Sequence, residues 1–153
     1  MKDNLSLKIL IVDDNIYTKS SVEKELCWAL LWDLNRNATD WERISYMEKY
    51  KKLTFLYAID LKEVSSILSK GADLDLITVD GNIGENRKES GTQVLRHLKD
   101  YYPKLLEKTI ALSWDKRYLK FSKQRFKIKS FEKDMGEYER KRFRAHVQEI
   151  IAK

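Results

Sequence analysis

Cysteine, proline, histidine and glycine are scarce in this chain of 153 residues: it has one, one, two and five of them. A lone thiol, Cys27, excludes a disulfide framework and a cysteine-rich metal centre. His97 and His146 fall on segments of helical period among charged neighbours, where a surface role is expected for both. Nowhere do about 18 apolar residues run in succession, as a membrane-spanning helix needs. The opening "MKDNLSLKI" lacks the basic start and apolar stretch of a secretory leader. The expectation is a cytoplasmic protein with no membrane contact. Repeats, linkers and low-complexity tracts are missing too, so residues 1–153 are expected to form a single domain.

What is present suffices for a core, with 42% hydrophobic residues and 11% aromatics. The net charge of +6 is unevenly spread. Residues 1–80 hold 11 basic and 14 acidic side chains, a balance of −3, and residues 81–153 hold 19 and 10, a balance of +9. Such asymmetry suits nucleic acid or an acidic partner, although most charged runs are solvated faces.

Short aliphatic runs alternate with stretches of helical period, the pattern of an α/β domain with a mostly parallel sheet. Five strands are expected: "LKILIV" (7–12), "LTFLYAI" (53–59), "LDLITV" (74–79), "TIALS" (109–113) and "RFKIK" (125–129). The first, third and fourth are apolar almost throughout and suit central positions, while the last alternates basic and apolar as an edge does. Capping pairs mark helix starts at Thr39 with Glu42, Asp60 with Glu63, Ser90 with Gln93 and Asp134 with Glu137. Gly71 and Pro103 stand where helices stop. About 40 residues separate the first two strands, more than one crossover helix requires. A first helix from about 16 to 35 and an inserted one within about 36–52 are expected, stapled by Trp28, Trp32 and Trp41, with Ile44 and Met47 on the second helix's apolar stripe.

In a parallel sheet, ligands sit outside the carboxyl ends of the strands. Those ends collect Asp13 and Asp14 from the first strand, Asp80 from the third, Ser113 from the fourth and Lys129 from the fifth. Adjacent acids repel and lose hydration if buried, so either a solvated turn or a cation must accommodate them. Magnesium held by Asp14 and Asp80 would offset that repulsion and leave room for a substrate oxygen. A carboxylate can serve as nucleophile and form an acyl phosphate, with the hydroxyl and the lysine binding phosphoryl oxygens. The constellation suits phosphoryl transfer onto Asp80.

On these residues the chain resembles a response regulator receiver domain of the CheY-like superfamily, the module that histidine kinases phosphorylate on aspartate. The resemblance rests on the acidic pair Asp13 and Asp14, the acceptor Asp80, and Ser113 and Lys129 in "IALSWD" and "FKIKSFEK". It implies a flavodoxin-like, doubly wound five-stranded parallel sheet of order 2-1-3-4-5. It also implies Mg2+ held by Asp13, Asp14, Asp80 and the backbone carbonyl of Asn82, with Ser113 and Phe126 as the switch pair and Asn82 and Asp115 tuning dephosphorylation. The implied partners are a histidine kinase or phosphotransfer protein and a downstream protein target. No turnover of a separate substrate is expected beyond the chain's own phosphorylation and dephosphorylation. With no output domain after residue 153, a single-domain shuttle or phosphorelay member is the form expected.

Several features depart from the family pattern. The inserted helix has no counterpart, the loop "DGNIGENRKESG" is long, and the short stretch from Ser113 to Lys129 leaves room for a fourth helix of only a turn or two. Trp114 follows the switch hydroxyl where a small residue is usual, and its indole would narrow the path to Asp80. Ser130 replaces the proline that usually follows the lysine, so no cis peptide is expected there. Two other readings stand beside the receiver. In one, a degenerate receiver binds protein or nucleic acid through "KRYLKFSKQRFKIK" (116–129), whose seven basic residues interleave with Tyr118, Phe121 and Phe126. In the other, the chain is a magnesium-dependent phosphatase, although the haloacid dehalogenase pattern separates its first two acids by one residue and here they are adjacent.

Overall fold

A computed structural model describes residues 6–31, 53–81 and 90–152. Five strands alternate with helices: β1 (Leu7–Val12), α1 (Ile16–Leu31), β2 (Leu53–Ala58), α2 (Leu61–Ser69), β3 (Leu76–Val79), α3 (Ser90–Tyr101), α4 (Pro103–Leu106), β4 (Thr109–Ser113), α5 (Lys116–Phe126), β5 (Lys129–Glu132) and α6 (Glu137–Ala152). All four strand pairings are parallel, and the order is β2-β1-β3-β4-β5. This is the flavodoxin-like doubly wound sheet that the resemblance implied. The helix expected within 36–52 with Ile44 and Met47, and Trp32, Thr39, Trp41 and Asn82, lie outside the described residues.

The continuous apolar runs follow from burial on both faces, because successive side chains of a strand point to opposite sides. On β1, Leu10 and Val12 join a core with Val64 and Leu68 of α2, Val94, Leu95 and Leu98 of α3, and Leu119 and Phe126 of α5. Ile9 and Ile11 join the other core, with Val22 and Leu26 of α1 and Phe143, Val147 and Ile150 of α6. A strand buried on both faces cannot slip by one residue without exchanging its two cores.

Helix ends follow their local chemistry. Asp60 caps α2 by accepting from the Glu63 backbone N–H at 2.9 Å, and Glu63 reaches back to the N–H of Ile59 at 2.8 Å. Gly71, at φ +75°, ends the turn after α2 and donates to the Leu68 carbonyl. Pro103 opens the short α4. The expected cap at Asp134 is displaced: the Arg140 N–H bonds the Gly136 carbonyl at 3.0 Å, which puts the cap of α6 at Gly136.

The main departure lies between β4 and β5. Residues 125–129 were expected as a strand, but Arg125 and Phe126 end an 11-residue helix, Lys127 turns the chain at φ 58°, and β5 starts only at Lys129. Asp115 sets the helix start by accepting from the N–H groups of Arg117 and Tyr118 at 3.0 and 3.2 Å. Tyr118, Leu119, Ser122 and Phe126, spaced for one helical face, are buried. The helix between β4 and β5, α5, is therefore three turns long rather than the one or two expected, and the edge strand starts four residues later than its expected start at 125.

Candidate functional site

The register of the sheet assembles the site. Val12 pairs with both Ala58 and Val79, so the next residues, Asp13 and Asp80, emerge side by side. The Asp13 N–H donates to the Ala58 carbonyl at 3.0 Å and the Asp80 N–H to the Val12 carbonyl at 2.9 Å, which fixes both backbones. Asp13 and Asp80 are buried, at 1% and 7% exposure, while Asp14 is only partly so. On the other side, Ser113 pairs with Glu132, and the N–H of Lys133 donates to the Ser113 carbonyl at 3.2 Å.

That last bond delivers a cation. Lys133 Nζ lies 2.6 Å from Asp13 Oδ2 and 2.9 Å from Asp80 Oδ2, with only 5% of its side chain exposed. Charges this deep require partners, and here one ammonium bridges two carboxylates. Lys129, expected in this role, instead opens β5 and is exposed. The late start of the strand is the physical reason: the residue that follows β5 is Lys133.

The other expected residues divide in the same way. Ser113 is fully buried at the end of β4, and its Oγ accepts from the Asp115 N–H at 3.1 Å. Trp114 is half-exposed, with its ring centroid 4.8 Å from Lys133 Nζ, so the indole lies against the bridging lysine as a cation–π partner. Phe126 is away from β5, at the end of α5 and edge-on to Phe121. Three residues before Lys133 stands Ser130, and Asp134 follows the lysine. No cis peptide occurs among the described residues.

Sequence reasoning missed two residues, Lys133 and Tyr118. The signal for both was the cap at Asp115 followed by buried positions at helical spacing, which keeps 116–126 helical and moves the strand end to Lys133. Tyr118 is buried beside the acids, and its hydroxyl donates to the Val79 carbonyl at 3.0 Å. Burial pushes the phenol far above its ordinary pKa of 10.0, hydrogen bonding from Ser122 offsets part of this, and the charge of Asp80 adds to the rise.

The acids are a fit for a hard cation. Asp13, Asp14 and Asp80 each offer an oxygen, and these atoms lie within 4.8 Å of one another. An all-oxygen donor set of three carboxylates suits magnesium or manganese better than zinc.

No family model matches the chain, and no curated protein matches it in sequence. Solved structures do share its fold. A CheY-like response regulator receiver domain from Methylobacillus flagellatus superposes with a TM-score of 0.61 at 16% identity, over 95% of this chain and 98% of that one. The Mn(2+)-bound form of response regulator Rcp1 gives 0.57 at 14% identity, over 93% and 91% of the two chains. The phosphorylated cyanobacterial phytochrome response regulator RcpA gives 0.57 at 17%, over 96% and 90%. Each match spans nearly the whole of both chains. The chain has the fold of CheY-like response regulator receiver domains.

Proposed function

We propose that the chain is a receiver of two-component signalling, in which Asp80 takes a phosphoryl group from a histidine kinase or phosphotransfer protein and the phosphorylated state changes binding to a downstream protein. The observation that carries this reading is Lys133 Nζ held between Asp13 and Asp80 at 2.6 and 2.9 Å, a buried cation at the acceptor carboxylate. One oxygen of Asp80 attacks phosphorus in line, the bond from phosphorus to the donor nitrogen breaks, and its electron pair leaves with the donor imidazole. Lys133 turns from the carboxylate toward a phosphoryl oxygen. Ser113 donates its hydroxyl to another.

Asp13, Asp14 and Asp80, with the Asn82 backbone carbonyl, would hold Mg2+, which when bound neutralises charge on the transferring oxygens. The names of two fold relatives, one Mn(2+)-bound and one phosphorylated, support the same chemistry. Trp114, against Lys133, restricts approach from outside the sheet. Asp115, already accepting two backbone N–H groups, and Asn82 are polar side chains that permit hydrolysis and a short-lived phosphoryl state. The rival reading through residues 116–129 is weakened because Tyr118 and Phe126 are buried and cannot stack on bases.

Beryllofluoride, a mimic of the phosphoryl group, tests the proposal. With magnesium it should give a saturable change in tryptophan fluorescence through Trp114, absent in Asp80→Asn. A flat titration, repeated by calorimetry, would refute the acceptor role.

A further inference from the structure

A receiver needs a link from its acceptor to a surface, and β5 has no aromatic three residues before Lys133, the spacing at which Phe126 precedes Lys129 in the expected switch. That place holds Ser130, while Phe131 points into the opposite core, edge-on to Phe143 at 5.4 Å. The ring beside the acceptor comes from α5. Tyr118 donates its hydroxyl to the carbonyl of Val79, the residue just before Asp80. Its ring also fills the base of the connection from β3 to α3. A Cβ on Gly81 would sit 2.4 Å from Tyr118 Cγ, and one on Gly91 would sit 3.0 Å from Tyr118 Cε1. The Gly91 N–H closes that base by donating to the Gly81 carbonyl at 3.3 Å.

The other end of the same residue is tied to the switch hydroxyl. The Tyr118 N–H donates to Asp115 Oδ1 at 3.2 Å, and the Asp115 N–H donates to Ser113 Oγ at 3.1 Å. Ser113, Asp115, Tyr118 and the backbone before Asp80 thus form one hydrogen-bonded chain. Resting on the receiver reading, we propose that Tyr118 is a positioning residue that couples the state of Asp80 to helix α5. When Ser113 turns to an oxygen on Asp80, it leaves the Asp115 N–H, the cap of α5 loosens, and Tyr118 shifts against the Val79 carbonyl. The surface that moves is basic, because Lys116, Arg117, Lys120, Lys123 and Arg125 are exposed along α5.

Amide hydrogen exchange across residues 115–127 of the full chain tests this, with and without magnesium and beryllofluoride. In wild type, ligand binding should change exchange over α5 by about fivefold. Tyr118→Phe keeps the ring and loses one hydrogen bond, so it should bind beryllofluoride within about threefold of wild type yet show no ligand-dependent change in α5. A wild-type response in Tyr118→Phe overturns the coupling role and leaves the receiver intact, and so does a variant that no longer binds. Absence of binding by wild type overturns the receiver reading itself. Should Tyr118→Phe fail to fold, Asp115→Ala cuts the same chain at the exposed helix start, and retention of the α5 response there overturns the coupling.

Discussion

β1 and β5 belong to one sheet and supply opposite charges to one site, yet they are held very differently. β1 has six residues, neighbours on both sides and side chains in both cores. β5 has four residues, pairs with β4 alone and buries only Phe131. Asp13 extends the first strand and Lys133 the second. The acids therefore stand on a scaffold that cannot shift without disturbing both cores, whereas the cation arrives on a short edge strand. The difference teaches that the charge trio works in both directions: the acids hold the end of β5 as much as the lysine neutralises the acids.

The largest test of that view is Lys133→Met, which keeps the length of the side chain and removes the charge. Two buried carboxylates would lose their common partner, and breaking a buried pair on one side costs about 3 kcal/mol. Urea unfolding without divalent cations should show a loss of that order. On the proposed metal site, excess magnesium should recover part of it and stabilise the variant more than wild type, since a bound metal would stand in for the lost ammonium. A loss below about 0.5 kcal/mol, the range of an ordinary surface change, would mean that the acids do not tether β5.

A second test acts on the rigid side. A Cβ at Gly91 would meet the Asp80 carbonyl oxygen at 2.4 Å and Gly81 Cα at 2.6 Å, and backbone atoms cannot rotate away as a side chain can. Gly91→Ala should cost about 1–3 kcal/mol, as overpacking does, and weaken magnesium binding because the carbonyl it strikes belongs to Asp80. Unchanged stability and metal affinity would show that the end of β3 yields more readily than its double-sided burial implies.

Legibility in the sequence followed the same division. The bounds of β1 and β4 match their expected runs, and Asp13, Asp14, Asp80 and Ser113 fall where the strand ends place them, because burial on both faces writes an unbroken apolar run. The edge was ambiguous for a physical reason. Phe126 and Ile128 are buried and Lys127 and Lys129 exposed, the alternation of a strand, but here a helix end and a left-handed turn produce it. The strand order came from the family resemblance and not from the runs themselves. Lys133 and Tyr118 needed the cap at Asp115 to be weighed against that alternation.

The smallest expected effect is the sharpest discriminator between the two lysines. Lys129→Met should change stability by less than about 0.5 kcal/mol and leave beryllofluoride binding intact, because Lys129 is exposed at the start of β5. Calorimetric titration beside Lys133→Met, which should bind far more weakly, makes the contrast. Suppose instead that Lys129→Met binds tenfold more weakly. A slip of four residues keeps every side chain on its own face of a strand, so facing alone does not forbid Lys129 from taking the place of Lys133. The core forbids it. Such a slip would put Lys127 where Phe131 now packs edge-on against Phe143, burying an unpaired ammonium between the sheet and α6. It would also unwind the last turn of α5, which ends at Phe126. The site therefore has one register in which a lysine meets Asp13 and Asp80, and that register is set by Phe131 rather than by the lysine itself.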